Sequence, residues 1–326
     1  MIIENSKTYN VNEVENLFFR PSFCGKSAEE LGIRILYNMP IPTKVPTFGH
    51  NYNILAEFSS GWQGGTAANF RETEIAMSKL KAENAYSAES YFNSVYELLT
   101  NSADVNLGDL SGTDLEKAET ELFRRAIVES IYATMWFGDE EAEVSDLTSF
   151  TGFLRKIIDI VEVHDPNADV VIEKDTPTLA VQEILHDVWM QANDELKGIA
   201  SEGNLVYFVS SDIYDAYHFY LEEKGVACGI ADAGNSRPAL SFHGVPVVEI
   251  SSSQYGINRA LSFCILTDRR NLILALNTAD SPEKEIKMWY NPDEMENRQR
   301  VVFLAGTTIA DPNLVSAHIF DSGVNL

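Results

Sequence analysis

Thr113-Asp-Leu-Glu116 opens the longest regular segment written into this sequence. In such a capping box the threonine oxygen and the glutamate satisfy opposite orphan amides at a helix start. Behind it, Leu115, Leu122, Phe123, Ala126, Ile127, Ile131 and Met135 recur at helical spacing, and Gly138 supplies a stop. The spacing predicts one helix over 113–137, more than 20 residues, against about 11–12 for an average globular helix. A helix of that length is long enough to serve as a spine.

Residues 86–112 just ahead of it also look helical, and residues 40–80 before them read as extended. Pro40, Pro42 and Pro46 forbid helix and favour open backbone. A glycine cluster follows in Ser59-Ser60-Gly61-Trp62-Gln63-Gly64-Gly65. Extended segments around Asn53–Phe58 and Phe70–Leu80 would make a long projecting hairpin with this cluster at its tip. Trp62 inside the tip is unusual, because an exposed tryptophan more often meets a partner than water. Residues 1–40 are near neutral, carry the apolar patch Leu17-Phe18-Phe19, and read as an arm.

Beyond the spine, 139–174 reads as a connector that opens with an acidic run. A second helix is expected from Thr176-Pro177, proline at its preferred first position, with the stripe Val181, Ile184, Leu185, Val188, Ala192, Leu196 and Ile199. From Leu205 the pattern becomes α+β. Leu205–Val209 is a buried strand and Ser211–Lys224 a helix closed by Gly225. Further strands are expected at Ala239–His243, Val245–Ile250, Leu261–Thr267, Leu272–Leu276, Glu285–Tyr290 and Arg300–Ala305, with Asp268–Asn271 turning between two of them. No internal repeat is evident.

Composition narrows the function by exclusion. The chain has 326 residues and a formal charge of −25, which argues against a protein that grips nucleic acid by neutralising phosphates. No apolar run approaches the roughly 18 residues of a membrane helix, and Met1–Ser6 lacks the marks of a signal peptide. Cys24, Cys228 and Cys264 are odd in number and far apart, which suits a reducing compartment. Cys24 beside Lys26 reads as an inert thiol rather than a nucleophile.

Chemistry-bearing motifs are missing. There is no phosphate loop, no dinucleotide fingerprint, no Gly-x-Ser-x-Gly, no His-Glu-x-x-His and no Cys-x-x-Cys. Asp139, Glu140, Glu141, Glu143 and Asp146 have the oxygen ligands a divalent cation prefers, yet in a chain with 49 acids such a cluster reads as a solvated loop. His186-Asp187 and His164-Asp165 are sequence neighbours, which do not face each other on a helix. No catalytic residue, metal site or cofactor is therefore assigned, and the chain is not read as an enzyme.

Segment order carries a resemblance. Leu205-Val-Tyr-Phe-Val-Ser-Ser-Asp-Ile-Tyr-Asp-Ala-Tyr217 is a strand followed by a helix, and Leu240-Ser-Phe-His-Gly-Val-Pro-Val-Val248 comes next. Phe263–Leu272 and Arg300-Val-Val-Phe-Leu-Ala-Gly306, close to Ala310-Asp-Pro-Asn-Leu314, complete the series. Over roughly its last 120 residues the chain resembles the major capsid proteins of tailed bacteriophages, the Hong Kong 97-like shell fold. The resemblance implies an arm at 1–40, an extended loop at 41–85, a peripheral domain at 86–164 with its spine at 113–137, an axial domain at 165–284, and a return to the peripheral domain at 285–326. Gly225–Gly234 would be a loop near the capsomer axis.

The function this implies is a structural subunit that assembles with itself, as hexamers and pentamers, into an icosahedral virion capsid around double-stranded DNA. It would be made in the bacterial host cytoplasm. It would enclose DNA without strong specific binding and without a membrane, alongside a separate scaffold protein, a portal and decoration proteins. Phe18, Phe19, Phe58, Trp62 and Phe70 are the expected inter-subunit anchors, the alternative being packing within their own subunit. A cellular nanocompartment shell of the same fold and an acidic cytoplasmic α+β enzyme are the competing readings.

Overall fold

A computed structural model describes residues 28–40, 43–50, 55, 60–61, 68–87, 111, 114–141, 147–162, 169–173, 180–225, 239–251 and 261–321. Its first strands are β1 (Arg34–Leu36), β2 (Thr43–His50), β3 (Ala68–Ile75) and β4 (Ser78–Tyr86). The spine is α1 (Asp114–Phe137), followed by α2 (Phe153–Glu162), β5 (Asp169–Glu173), α3 (Val181–Gln191) and α4 (Asp194–Ile199). Then come β6 (Leu205–Ser210), α5 (Ser211–Glu223), β7 (Leu240–Phe242), β8 (Val245–Ile250) and β9 (Leu261–Asp268). The chain ends with β10 (Leu272–Leu276), β11 (Lys287–Asn291), β12 (Glu296–Ile309) and β13 (Val315–Asp321). The fold is mixed, helix and sheet together, in two compact units.

The larger unit takes Gly25–Ser78, Tyr132–Asn277 and Ala305–Leu326. At its centre is a six-stranded sheet in the order β5-β13-β9-β6-β8-β7. β6 pairs parallel with β8 and antiparallel with β9, and all six of its residues are buried. A strand buried on both faces needs cover on both faces. On one side Leu205, Tyr207 and Val209 join Ile184, Leu185 and Val188 of α3, Leu196 of α4, and Ile213 and Tyr217 of α5. On the other, Trp136 at the end of α1 meets Phe208 at 5.2 Å and Phe153 of α2 at 5.4 Å. Burying that many large apolar side chains, at about 1.5–3 kcal/mol each, is what fixes this unit.

The expected second helix is corrected in two ways. It begins at Val181, after Ala180 in extended backbone, and Thr176-Pro177 lies outside the described residues. It also divides, because Ala192 is extended and Asn193 caps a new helix by accepting the Leu196 N–H at 2.7 Å. Asp194 and Glu195 in the first turn of α4 favour that restart. The apolar stripe survives the break, with Ile184, Leu185, Val188, Ala192 and Leu196 all buried.

The connector expected over 139–174 is likewise corrected, for it contains α2 and β5. Gly138 and Gly152 hold its entrance closed, with Gly152 N–H donating to the Gly138 carbonyl at 2.8 Å. A Cβ on Gly138 would sit 2.2 Å from the Phe150 carbonyl oxygen, so only glycine fits.

A hairpin is present between Thr43 and Ile75. β2 pairs antiparallel with β3 from Thr43↔Ile75 to His50↔Ala68. One described arm runs from Thr43 to His50, the expected segment around Asn53–Phe58 lies outside the described residues apart from Leu55, and the expected Phe70–Leu80 segment is cut at Ala76-Met77 into β3 and β4. Its root is anchored by Val45 and Ile75 on Ile273 and Ala275 of β10. Thr73 donates to the Ala310 carbonyl at 3.2 Å, and Arg71 meets Asp311 at 3.4 Å.

The smaller unit comprises described residues of Lys79–Ile131 and Thr278–Leu304. Here β11 pairs antiparallel with β12 from Lys287↔Arg300 to Asn291↔Glu296, and β4 also pairs with β12. Along this part of β12, Asn297, Gln299, Val301 and Phe303 are buried and the alternate residues face outward. α1 contributes Ala118, Phe123 and Ile127 as buried residues, and Thr120 accepts from the Gln299 amide at 2.9 Å. Leu122 and Ala126 of the expected stripe are exposed, so the buried face of α1 is narrower here than the spacing implied.

Candidate assembly surfaces

Of the five expected anchors, Phe18, Phe19, Phe58 and Trp62 lie outside the described residues. Phe70 is described: it sits on β3 opposite Phe48 and is 57% exposed. An aromatic ring that far out on a two-stranded hairpin has apolar area left for another surface. The hairpin carries Lys44–Glu72 across its strands at 3.4 Å, an exposed pair of small energetic weight.

The candidates for chemistry are occupied with local structure. Asp139 is buried and its carboxylate accepts the Glu141 N–H at 3.0 Å, while Glu140 accepts from Ser78. Glu143, Asp146 and His164-Asp165 lie outside the described residues, as does Cys24. His186 and Asp187 are 3.7 Å apart on the exposed side of α3. Cys264 is fully buried in β9, and burial pushes its thiol pKa far up, so it is no thiolate at neutral pH. Among the described residues no three His, Cys, Asp or Glu gather as a metal site, and no helix is long and apolar enough to cross a membrane.

A second exposed apolar area was not expected from the sequence. Nine large hydrophobic side chains are exposed among the described residues, and five of them belong to the smaller unit: Leu122, Met288, Trp289, Met295 and Val302. Three lie on or beside β11, with Met288 at 48%, Trp289 at 42% and Met295 at 63% exposure. Met288 reaches Thr120 on one face of the sheet, and Trp289 lies under the Arg300 guanidinium on the other at 5.6 Å. The signal was present as Met288-Trp289-Tyr290 in an expected strand, but only the strand's place at the sheet edge makes it a surface.

The acidity of the chain is locally relieved here. On the outward face of β12 and β11, Arg298, Arg300 and Lys287 stand beside Glu296, with Arg298 paired to Glu296 at 3.2 Å. Lys81 and Arg300 hold Glu83 below the usual carboxylate range, chiefly through the Lys81 hydrogen bond.

Comparison with known proteins gives a consistent fold. No sequence-family model and no curated protein matches the chain. Among solved structures, a chain of the satellite phage P4 procapsid is 13% identical, with a TM-score of 0.52 over 89% of this chain and 92% of that one. The capsid of the empty GTA particle is 12% identical, with a TM-score of 0.54 over 98% and 96%. Mycobacterium phage Bobi gives 10% identity and a TM-score of 0.52 over 98% and 96%. The chain therefore has the fold of phage capsid subunits, along nearly its whole length.

Proposed function

We propose that this chain is a structural shell subunit, one that assembles with itself into an icosahedral capsid around double-stranded DNA. The observation that carries the reading is the likeness to capsid chains across 89% or more of the sequence, reached without any detectable sequence-family match. A fold shared at 10–13% identity is a statement about architecture. What supports a shell function beyond architecture is the projecting hairpin with exposed Phe70 and the apolar edge at β11. Both leave apolar surface that the described residues of one copy do not cover.

In this reading the Hong Kong 97-like layout applies. The arm is 1–40, the extended loop 41–85, the peripheral domain 86–164 and 285–326 with its spine at 113–137, and the axial domain 165–284. Subunits group as hexamers and pentamers in the virion, are made in the host cytoplasm, and work with a separate scaffold protein, a portal and decoration proteins. Phe18, Phe19, Phe58, Trp62 and Phe70 act as anchors between neighbours. The wall carries no enzymatic chemistry. Its −25 charge keeps packaged DNA from adhering, and obliges subunit contacts to be apolar or locally paired.

Negative-stain electron microscopy of the purified protein tests the reading. Icosahedral particles, or rings of five and six, are expected; a uniform small oligomer carrying a bound metabolite would overturn it. Nucleic acid rather than a co-expressed cargo protein inside the particles separates a virus shell from a nanocompartment.

A further inference from the structure

β11 is an edge strand. Among the described residues it pairs only with β12, and its other side offers alternating N–H and C=O groups that no described strand meets. Natural sheets blunt such edges with proline, bulges or inward charges. The other exposed ribbon of this chain does so, for β2 carries Pro46 opposite Glu72. The sequence Lys287-Met-Trp-Tyr-Asn291 has no proline and its single charge is at one end. It combines high strand propensity with Met288 and Trp289 half exposed, one on each face of the sheet.

The charges of the strand and its turn are polar along the chain. Lys287 is the strand's one charge and stands at its start, with Lys284 and Glu285 just before it, while Asp293 and Glu294 are exposed just past the end. A strand with a cation at one end and anions beyond the other is complementary to itself only when the two copies run in opposite directions. Centring that pairing on Trp289 sets Lys287 against Asn291 of the other copy and Met288 against Tyr290, with Trp289 facing its own equivalent. Asp293 of one copy, in the turn just past β11, then comes near Lys287 of the other. Within Lys287–Asn291 no like charges are opposed in this register; beyond it Lys284 approaches Glu294 of the other copy and Glu285 approaches Asp293, so the strand itself carries the match in a chain whose copies repel at −25 each.

We propose that β11 is a self-pairing edge, through which two copies of this chain join antiparallel across a twofold axis at Trp289. The pairing merges two edge strands into one sheet and covers Trp289, Met288 and the neighbouring Met295. Such an isologous contact is closed, so it links subunits in pairs and adds no open-ended growth. Arg300 already stacks on Trp289, which restrains the ring before the second copy arrives.

The inference rests on the shell reading, since it names one of the contacts such a shell needs. The test is cross-linking of the full chain in its assembled form. Paired residues in an antiparallel ladder have Cα atoms about 4.5–5.5 Å apart, within disulfide reach. Trp289→Cys is therefore expected to link to itself under mild oxidation, with the unmodified chain as the background control. Lys287→Cys and Asn291→Cys chains should link efficiently when mixed and poorly when alone. Lys287→Glu should lower the paired fraction about tenfold, and adding Asp293→Lys in the same chain should restore it.

A second measurement needs no variant. On assembly of the unmodified chain, amide exchange at 287–291 should slow at least about tenfold as the edge is covered. Shells whose 287–291 amides exchange as fast as in the dissociated subunit, or in which Trp289→Cys links only to another segment, would overturn the pairing and leave the shell reading standing. A chain that forms no assembly and no link would overturn both.

Discussion

Gly306→Ala is the exchange that most sharply probes how the hairpin is held. Gly306 lies in β12 where the chain passes the Ala76-Met77 corner between β3 and β4. A Cβ there would stand 2.1 Å from the Ala76 carbonyl oxygen, 3.1 Å from its carbon and 3.2 Å from Met77 Cα. Ordinary carbon–oxygen contact needs more than 3 Å, so the corner or the strand must move by about 1 Å. Neither moves freely. Ala305 and Gly306 are fixed by pairing to Leu276 and Ala275, and the corner follows directly on Ile75, buried in the hairpin's root. Overpacking of this kind costs about 1–3 kcal/mol, and backbone on both sides puts the expected loss at the upper end. At about 2–4 °C per kcal/mol for a unit of this size, the unfolding midpoint should fall by roughly 6–12 °C.

The same exchange at Gly198 is the control. Its Cβ would meet nothing within 4 Å, and the residue lies inside α4. Alanine there removes backbone entropy from the unfolded chain and should stabilise by about 0.5–1 kcal/mol. Differential scanning calorimetry of unassembled subunits reads both. A Gly306→Ala midpoint within 1 °C of the unmodified protein would refute the close approach, and with it the described seat of the hairpin.

Other expectations are as concrete. Gly138→Ala should cost at least about 2 kcal/mol by urea titration, because its Cβ would collide with the Phe150 and Thr134 carbonyls that close the α1–α2 corner. Asn193→Ala removes the cap that restarts the helix at α4 and should cost about 1 kcal/mol by the same titration. Arg270→Ala strips the guanidinium that bonds both oxygens of Asp268, whose side chain is only 5% exposed, and should lower stability more than Glu202→Ala on the exposed side of that network. Tyr86 is pushed up from 10.0 to about 12, first by burial and then by Glu116. Its contribution is full below pH 10 and is lost as pH rises toward about 12, since the unfolded chain ionises first. Tyr86→Phe should therefore flatten the alkaline loss of stability between those values in a pH series of denaturation midpoints.

Much of the architecture was legible because local rules and tertiary packing agreed. The spine α1 begins and ends within a residue of expectation, since its stripe and glycine stop act locally; Thr113 of the expected capping box lies outside the described residues. β6, α5, β8 and β10 were legible for the same reason, each a short apolar or amphipathic run bounded by a turn. β13 was not, although it lies inside the central sheet. Its Val315-Ser-Ala-His-Ile-Phe mixes small and polar residues, and Ser316 becomes acceptable in the core only through its bond to the Val188 carbonyl at 2.8 Å. α2 was hidden by the polar and acidic stretch before it, and its start is set by the Gly138–Gly152 contact between distant residues. β5 borrows its strand identity from parallel pairing with β13.

The candidate surface was legible only in part. Phe70 and the Met288-Trp289-Tyr290 run were visible as apolar residues in strands, but sequence periodicity does not say which strand is an edge. That property is decided by sheet order, and β11 is left at the margin by pairings that span residues 34 to 309.

Native mass spectrometry of the purified chain across a concentration series addresses self-assembly most directly. The shell account predicts species of five and six subunits, in multiples of 36.4 kDa, giving way to closed particles as concentration rises. A single small oligomer, unchanged at every concentration and never enlarging, would contradict it.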